Sequence, residues 1–461
     1  VIVISRIRFV GVAMTVASLS VVLWGGAPWA EEEKPPPPTP RPLGGDLPSF
    51  HAPEPGSDAE PQPLVEPKGV LVMRDALAIA LLQNPDLAAR SWQERAAEAE
   101  VISARLRPNP AFAVDVEDFG GTGESSGMDA AEITLSLGQV LELGGKRGAR
   151  ESEARLARDL AAWDYEAVRV EVLARTAADF VDVLAAQGEL ALSDEIVRLS
   201  GEIVTTVSER VKRARSHEAE ATRARVALAS AQIDQASARR SLRAARQRLA
   251  ANWGSTAPLF DRAEGDLDLL ANVPTLEEIY EQLPESPVLA RWATENARRE
   301  AALRRERAYA KPDLTLSAGL RRKNETDENV GVAGASVGLP FFNRNQGAIE
   351  AARAELAGAE SERRSAESAA HAAVALSYQE LDAARAEVTA FETEVLPGAE
   401  EAFVTISAGY EEGRFSYIEV LDAQRTLFDA RTQRLRAQSR FHSSVIAIES
   451  VTGVPIAEAR R

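Results

Sequence analysis

The stretch from Arg147 to Arg213 constrains the fold more than any other part of the chain. Leu156, Leu160, Trp163, Ala167, Val170, Ala174, Ala177, Val181 and Leu184 follow one another in alternating steps of four and three, the heptad spacing that lines one side of a coiled-coil helix. The rest of the circumference is charged. No proline occurs between Pro110 and Pro258, so nothing here forces a break. Roughly 65 residues at about 1.5 Å each make a rod of roughly 100 Å, too long to bury its seam in one compact core. The seam slips phase near Gly188 and resumes at Ile196, Leu199 and Ile203, which predicts a local unwinding or a change of neighbour.

Composition narrows what such a rod belongs to. Among 461 residues there is no cysteine and the net charge is −17, which excludes thiol chemistry and Cys-based metal sites and makes nucleic acid an unsuitable partner. Arg6 and Arg8, an apolar run from Phe9 to Trp24 and a small-residue stretch ending at Ala30 have the pattern of a secretory signal, expected over residues 1–30. Residues 31–70, with Pro35 to Pro38, are expected to form an extended tether. No other apolar run reaches the length of a bilayer-spanning helix. A membrane-seated mature chain must therefore span as a β-barrel.

The rest of the chain reads as one unit written twice, over 71–254 and 255–455, with a tail at 456–461. In the first repeat a helix is expected from Met73 to Leu106, ended by Pro108-Asn109-Pro110. Two alternating strands follow, with Phe112, Val114 and Val116, then Ile133, Leu135 and Leu137, each set against polar neighbours. Gly144-Gly145-Lys146 leads into the rod, which turns near Ser216 into a return helix. The second repeat opens on a capping box, Thr275 to Glu278, with Pro287 matching Pro85 and Pro312 matching Pro110. Its strands carry Leu314, Leu316, Ala318 and Leu320, then a weaker run in which the phase shift at Val332-Ala333 predicts a bulge. A second rod starts near Gly347, is expected to kink at Pro397, and turns between Gly413 and Ser416.

The fold class is therefore mainly α with a small β part: long antiparallel coiled-coil helices plus four barrel strands, internally duplicated. Each rod is about as long as two short helices end to end. The second repeat's opening helix is expected to stack on the first repeat's return helix, and the chain's first helix on its last. Four strands cannot close a barrel, for which about eight is the practical minimum, so several copies in cyclic symmetry are required.

Five segments in this order carry a resemblance: Asn84-Pro85-Asp86-Leu87, Arg107-Pro108-Asn109-Pro110, Leu141-Glu142-Leu143-Gly144-Gly145-Lys146-Arg147, Leu339 through Gly347 (LPFFNRNQG), and Val420-Leu421-Asp422-Ala423-Gln424-Arg425. Over about residues 70 to 455 the chain resembles the TolC-like outer-membrane factors, and more closely their branch serving heavy-metal efflux of the cobalt-zinc-cadmium and copper-silver type. The resemblance implies a homotrimeric α/β-barrel tunnel in the outer membrane of a Gram-negative cell, with twelve strands in lipid and the helices in the periplasm. It also implies two partners, a periplasmic adaptor (membrane fusion protein) and an inner-membrane, proton-driven RND pump. Readings that remain open are a duct for drugs or secreted protein, and a periplasmic coiled-coil adaptor or scaffold, which would have no need of four strands of bilayer length.

A conduit does no covalent chemistry, and no catalytic constellation, cofactor motif or metal-ligand spacing occurs; an enzyme is not expected. His51, His217, His371 and His442 are scattered. With three methionines in the chain, a Met-lined Cu(I) relay is unsupported. The candidate tunnel aperture is Tyr410, Glu419, Asp422, Glu218 and Glu220, since i, i+3 spacing puts Glu419 and Asp422 on one helix face and symmetry would gather the acids into cation-attracting rings. A solvated acidic helix face is the plain alternative. The candidate adaptor-docking tips are Ser216, Gly413, Arg414, Phe415 and Ser416. Asp115 and Glu117 are expected on the wet face of the sheet.

Overall fold

The computed structural model describes residues 43–54, 66–123, 126–214 and 216–456; the expected signal segment 1–30 lies outside them. In the first half the order is β1 (Gly69–Val72), α1 (Met73–Gln83), α2 (Pro85–Arg105), β2 (Ala111–Glu117), β3 (Glu132–Leu141), α3 (Lys146–Lys212) and α4 (Glu218–Ala251). The second half contains β4 (Phe260–Glu264), α5 (Leu276–Gln282), α6 (Pro287–Tyr309), β5 (Leu314–Lys323), β6 (Glu328–Val337), α7 (Gln346–Ala390), a π-helical turn (Phe391–Val395), α8 (Leu396–Glu411) and α9 (Tyr417–Thr452).

The first rod is one unbroken helix of 67 residues. It is buried on more than the heptad seam: Tyr165, Val172, Leu173, Phe180 and Val183 are enclosed as well as Leu156, Trp163, Val170 and Val181. The reason is its neighbours, since α3 packs on α2 and α4 of its own half and on α6 and α9 of the other. The phase slip marks a change of neighbour and no unwinding. Before it, Trp163 donates to Thr294 Oγ1 of α6 (3.1 Å); at Gly188 a Cβ would come within 2.7 Å of Leu435 of α9, so the missing side chain lets two helices approach. The second rod stays helical past Pro397, where a kink was expected: a π-helical turn, Phe391–Val395, joins α7 to α8 just ahead of the proline and accommodates its missing backbone donor.

The helix expected over Met73–Leu106 is two helices. Asn84 is extended ahead of Pro85 (φ −65°, ψ 124°), as the proline ring requires, and its Oδ1 accepts from the backbone N–H of Asp86 and Leu87 at 2.9 and 3.0 Å. The same Asn84 donates through Nδ2 to the carbonyl of Asn252 at 2.7 Å, where α4 ends. Short helices therefore stack end to end, but within each half and not across halves as expected. Gly453 closes α9 against Pro287 of α6, where a Cβ would sit 2.8 Å from the ring. The cross-half arrangement fails because the side chain that caps each first helix, or its proline, is already bound by that half's own return helix.

β1 and β4 pair in parallel and are too short to show alternation in sequence. They sit on α3, where the Gln187 amide brackets Ala263, donating to its carbonyl (2.9 Å) and accepting from its N–H (2.8 Å). Residues 43–54, expected as part of a free tether, are instead seated on the helices. Phe50 N donates to Leu81 O (3.0 Å), Tyr165 Oη donates to Phe50 O (2.6 Å), and Ala52 N donates to Ser91 Oγ (2.6 Å). Leu43 and Leu47, partly buried, pack against the core cluster that holds Leu81, Tyr165 and Leu173.

The main sheet is antiparallel in the order β2-β3-β5-β6; β2 has seven residues and the others ten each. Opposed residues share a face. Register therefore puts Phe112, Val114, Val116, Leu135, Leu137, Leu316 and Leu320 on one side, and Asp115, Glu117, Thr134, Ser136, Ser317 and Arg321 on the other. The bulge expected at Val332-Ala333 is absent: β6 pairs with β5 without a skip from Glu328 to Val337. Regular pairing leaves Val330 and Val332 on the polar face, opposite Arg321 and Gly319.

Both rods leave the sheet through a left-handed N-cap, Gly145 (φ 77°) for α3 and Asn345 (φ 59°) for α7. At the first joint Lys146 Nζ, almost fully buried, pairs with Asp313 Oδ1 at 2.8 Å and lies over the Tyr309 ring. At the second, Asn345 Nδ2 donates to Glu306 Oε2 (2.7 Å). The glycine-rich segment at 141–147 is thus a strand-to-helix elbow, in which Gly144 (φ 76°) lies so close to Lys311 that a Cβ would clash with it.

Candidate functional site

The end of the bundle opposite the sheet is built from two helical turns, α3 to α4 and α8 to α9. They share a small core of Val207, Ala221, Ala224, Tyr410, Tyr417 and Val420. Tyr410, a candidate aperture residue, is only 5% exposed within this core, with its ring 6.4 Å from that of Tyr417. Burial pushes its phenol above the ordinary range, an effect that nearby Ser216 opposes.

Arg210, near the end of α3, ties the two turns together. Its Nη1 donates to the carbonyls of Tyr410 (2.7 Å) and Glu411 (3.2 Å), satisfying carbonyls at the C-terminus of α8, and its guanidinium lies 4.6 Å from the centre of the Tyr410 ring. Sequence reasoning passed over this residue, because its partners are backbone atoms some 200 positions away.

The remaining candidates fall into two groups. Ser416 and Glu419 form a capping box at the start of α9: the Ser416 backbone N–H and Oγ both donate to Glu419 Oε2, at 2.7 and 2.8 Å. These bonds hold the Glu419 carboxyl below the usual range. Gly413 (φ 81°) makes the turn, Arg414 pairs with Glu412, and Phe415 lies on Gly409, where no Cβ would fit. In the other turn Ser216 Oγ donates to Glu220 Oε2 at 2.6 Å, and Glu218 lies 3.6 Å from Arg225. Asp422 is exposed one turn beyond Glu419.

At the far end the polar face of the sheet carries its own network. Arg321 donates to Thr134 Oγ1 (2.9 Å), Glu132 Oε2 (2.7 Å) and Glu117 Oε2 (3.0 Å), so one side chain on β5 reaches across β3 to β2. Lys323 adds a pair with Glu132 at 3.3 Å. Asp115, on the same face, is exposed. Among the described residues no group of three or more His, Asp or Glu side chains is placed to hold a metal ion, and no helix is long and apolar enough to cross a membrane. What the arrangement offers is a sheet with one greasy and one wet face at one end, and two packed helical turns carrying both carboxylates and basic side chains at the other.

Comparison with known proteins agrees with this geometry. The family model described as outer membrane efflux protein matches residues 76–255 and 279–454. The cobalt-zinc-cadmium resistance protein CzcC of Cupriavidus metallidurans is 33% identical over 388 residues, covering 84% of this chain and 91% of CzcC. The nickel-cobalt-cadmium resistance protein NccC of Alcaligenes xylosoxydans xylosoxydans is 27% identical over 63% of this chain and 64% of its own. Among solved structures, CusC superposes with a TM-score of 0.72 at 18% identity, over 88% of this chain and 99% of that one. The chain belongs to the outer membrane efflux protein family.

Proposed function

We propose that three copies of this chain close a twelve-stranded barrel in the outer membrane and that their helices enclose a periplasmic duct for divalent heavy-metal cations. The observation that carries the reading is the match to a cobalt-zinc-cadmium resistance protein along 91% of that protein's length; the family model's match over 76–255 and 279–454 takes in the sheet, both rods and both tips. The sheet supports the membrane half. Strands of up to ten residues are the length a tilted barrel strand needs, and its greasy face matches lipid. The tips support the periplasmic half, where an adaptor would meet the turns at Ser216 and at Gly413 to Ser416 and a proton-driven inner-membrane pump would load the duct. Glu218, Glu220, Glu419 and Asp422, tripled around an axis, would bias passage toward cations.

The test is a chromosomal deletion, complemented in trans. Cobalt, zinc and cadmium should each become growth-inhibitory at lower concentration in the deletion strain, with antibiotic sensitivity unchanged and resistance restored by the gene. Sensitisation to antibiotics alone would replace the metal assignment with a drug duct.

A further inference from the structure

A cleft near the middle of the first rod is lined by Asp182 and Glu189 of α3, Arg248 of α4, Glu387 of α7, and Arg436 and Arg440 of α9. Each of these carboxylates is held by an arginine from a neighbouring helix. Arg248 Nη2 donates to Asp182 Oδ2 (2.8 Å), Arg436 Nε donates to Glu189 Oε1 (2.9 Å), and Arg440 pairs with Glu387. The pairs bridge α4 to α3, α9 to α3 and α9 to α7, so each of these helix packings is crossed once. All three guanidinium side chains are more than half exposed, and exposed ion pairs add little stability. Helix packing therefore gives no reason to gather three of them in one cleft.

The cleft lies on the side of the bundle away from the β1–β4 pair. On α3, Gln187 holds Ala263 and Leu184 meets Gly265; Glu189 and Asp182 stand two residues from these, about 200° round the helix. On α9, Arg434 and Gln438 bind Asp268, at 2.6 Å each, and Arg436 and Arg440 again stand two residues away. The candidate aperture acids share that side. Asp422 and Arg436 are two heptads apart along α9, and Glu419 and Arg440 three, and a seven-residue step keeps a side chain on one face of a coiled-coil helix. One stripe of α9 therefore changes sign, from Glu419, Asp422 and Asp429 toward the tip to Arg436 and Arg440 at the cleft.

We infer that Arg248, Arg436 and Arg440 set how the duct treats divalent cations: they occupy the carboxylates of Asp182, Glu189 and Glu387, so that an ion admitted past the tip acids meets a charge-paired wall and is not retained. This rests on the duct proposed above, in which the side free of the β1–β4 pair is the inner wall. Left unpaired, these carboxylates would repeat around the threefold axis as a second acidic belt, and conduction requires that binding be weak enough for an ion to leave. Arginine suits the task. It is charged at every physiological pH, and its fork engages the carboxylate oxygens that a zinc ion would otherwise take.

Zinc block of the single-channel current, with the full-length trimer in a planar bilayer and zinc chloride as the probe, tests this. The combined variant Arg248→Gln, Arg436→Gln and Arg440→Gln should be half-blocked at a zinc concentration about fivefold lower than the unaltered protein, since it exposes a belt of free carboxylates. Adding Asp182→Asn, Glu189→Gln and Glu387→Gln should return the block to its original concentration. The matching Arg→Lys variant should never leave it, because lysine keeps the charge; a merely structural role for the arginines predicts neither result. If the combined variant gives no heat-resistant trimer, Arg436→Gln alone, at an exposed position, carries the test with a shift of about twofold. Conducting variants that block at the same zinc concentration as the unaltered protein would overturn the inference. An unaltered trimer that passes no current would overturn the duct itself, so the two failures are told apart.

Discussion

Arg210 shows how much at the tip depends on single side chains. Its guanidinium serves two carbonyls at the end of α8, and hydrogen bonds to a charged group contribute about 1.5–3 kcal/mol each. Arg210→Ala should therefore speed amide hydrogen exchange in residues 409–416 by roughly ten- to hundredfold, with the sheet unaffected; unchanged protection there would show that the turn holds without it. Glu419 gives the tip a pH dependence whose sign follows from its depressed carboxyl. The native-state cap is present above the ordinary carboxylate value and weakens as pH falls through the lowered one, so the start of α9 should fray in acid and Glu419→Gln should remove that acid dependence. Gly319 and Gly331 make a matched pair in one hairpin. A Cβ at Gly319 would stand 2.3 Å from the Leu135 carbonyl, whereas Gly331 faces open space. Gly319→Ala should lower the yield of heat-resistant oligomer on gels, and Gly331→Ala should not.

At the scale of elements, the joints between helices decide the architecture. Asn84 is 1% exposed and serves both as cap of α2 and as tie to the end of α4. Asn84→Ala removes a cap and strands a buried carbonyl, together about 2–3 kcal/mol, readable as a lower midpoint in denaturant; Asn84→Asp should keep the cap and lose only the tie. The elements themselves were largely legible in the sequence, because a heptad seam, strict alternation and Pro-Asn-Pro punctuation are each written locally. What was not legible depends on distant partners. Stacking within halves instead of across them turns on Asn84 meeting Asn252, the seat of residues 43–54 on Tyr165 and Ser91, and the short β1–β4 pair on Gln187. The bulge inferred at Val332 misread small residues, which either face of a sheet tolerates, as a slipped register. At the tip the turns and the Ser416–Glu419 box could be read from residue type; Arg210 and the burial of Tyr410 could not, because neither leaves a periodic trace.

The whole molecule makes sense as a fraction of an assembly. One chain supplies a sheet with two free edges, an exposed aromatic patch beside one of them, and rods whose ends carry acids. On the proposed function, threefold repetition of the chain completes each of these features and encloses a wet passage through lipid. Planar-bilayer recording of purified, chemically intact trimer puts that passage to the test. Discrete conductance steps that favour cations are expected, with selectivity reduced when Glu419 and Asp422 are both neutralised; a folded trimer that inserts without passing current would rule the passage out.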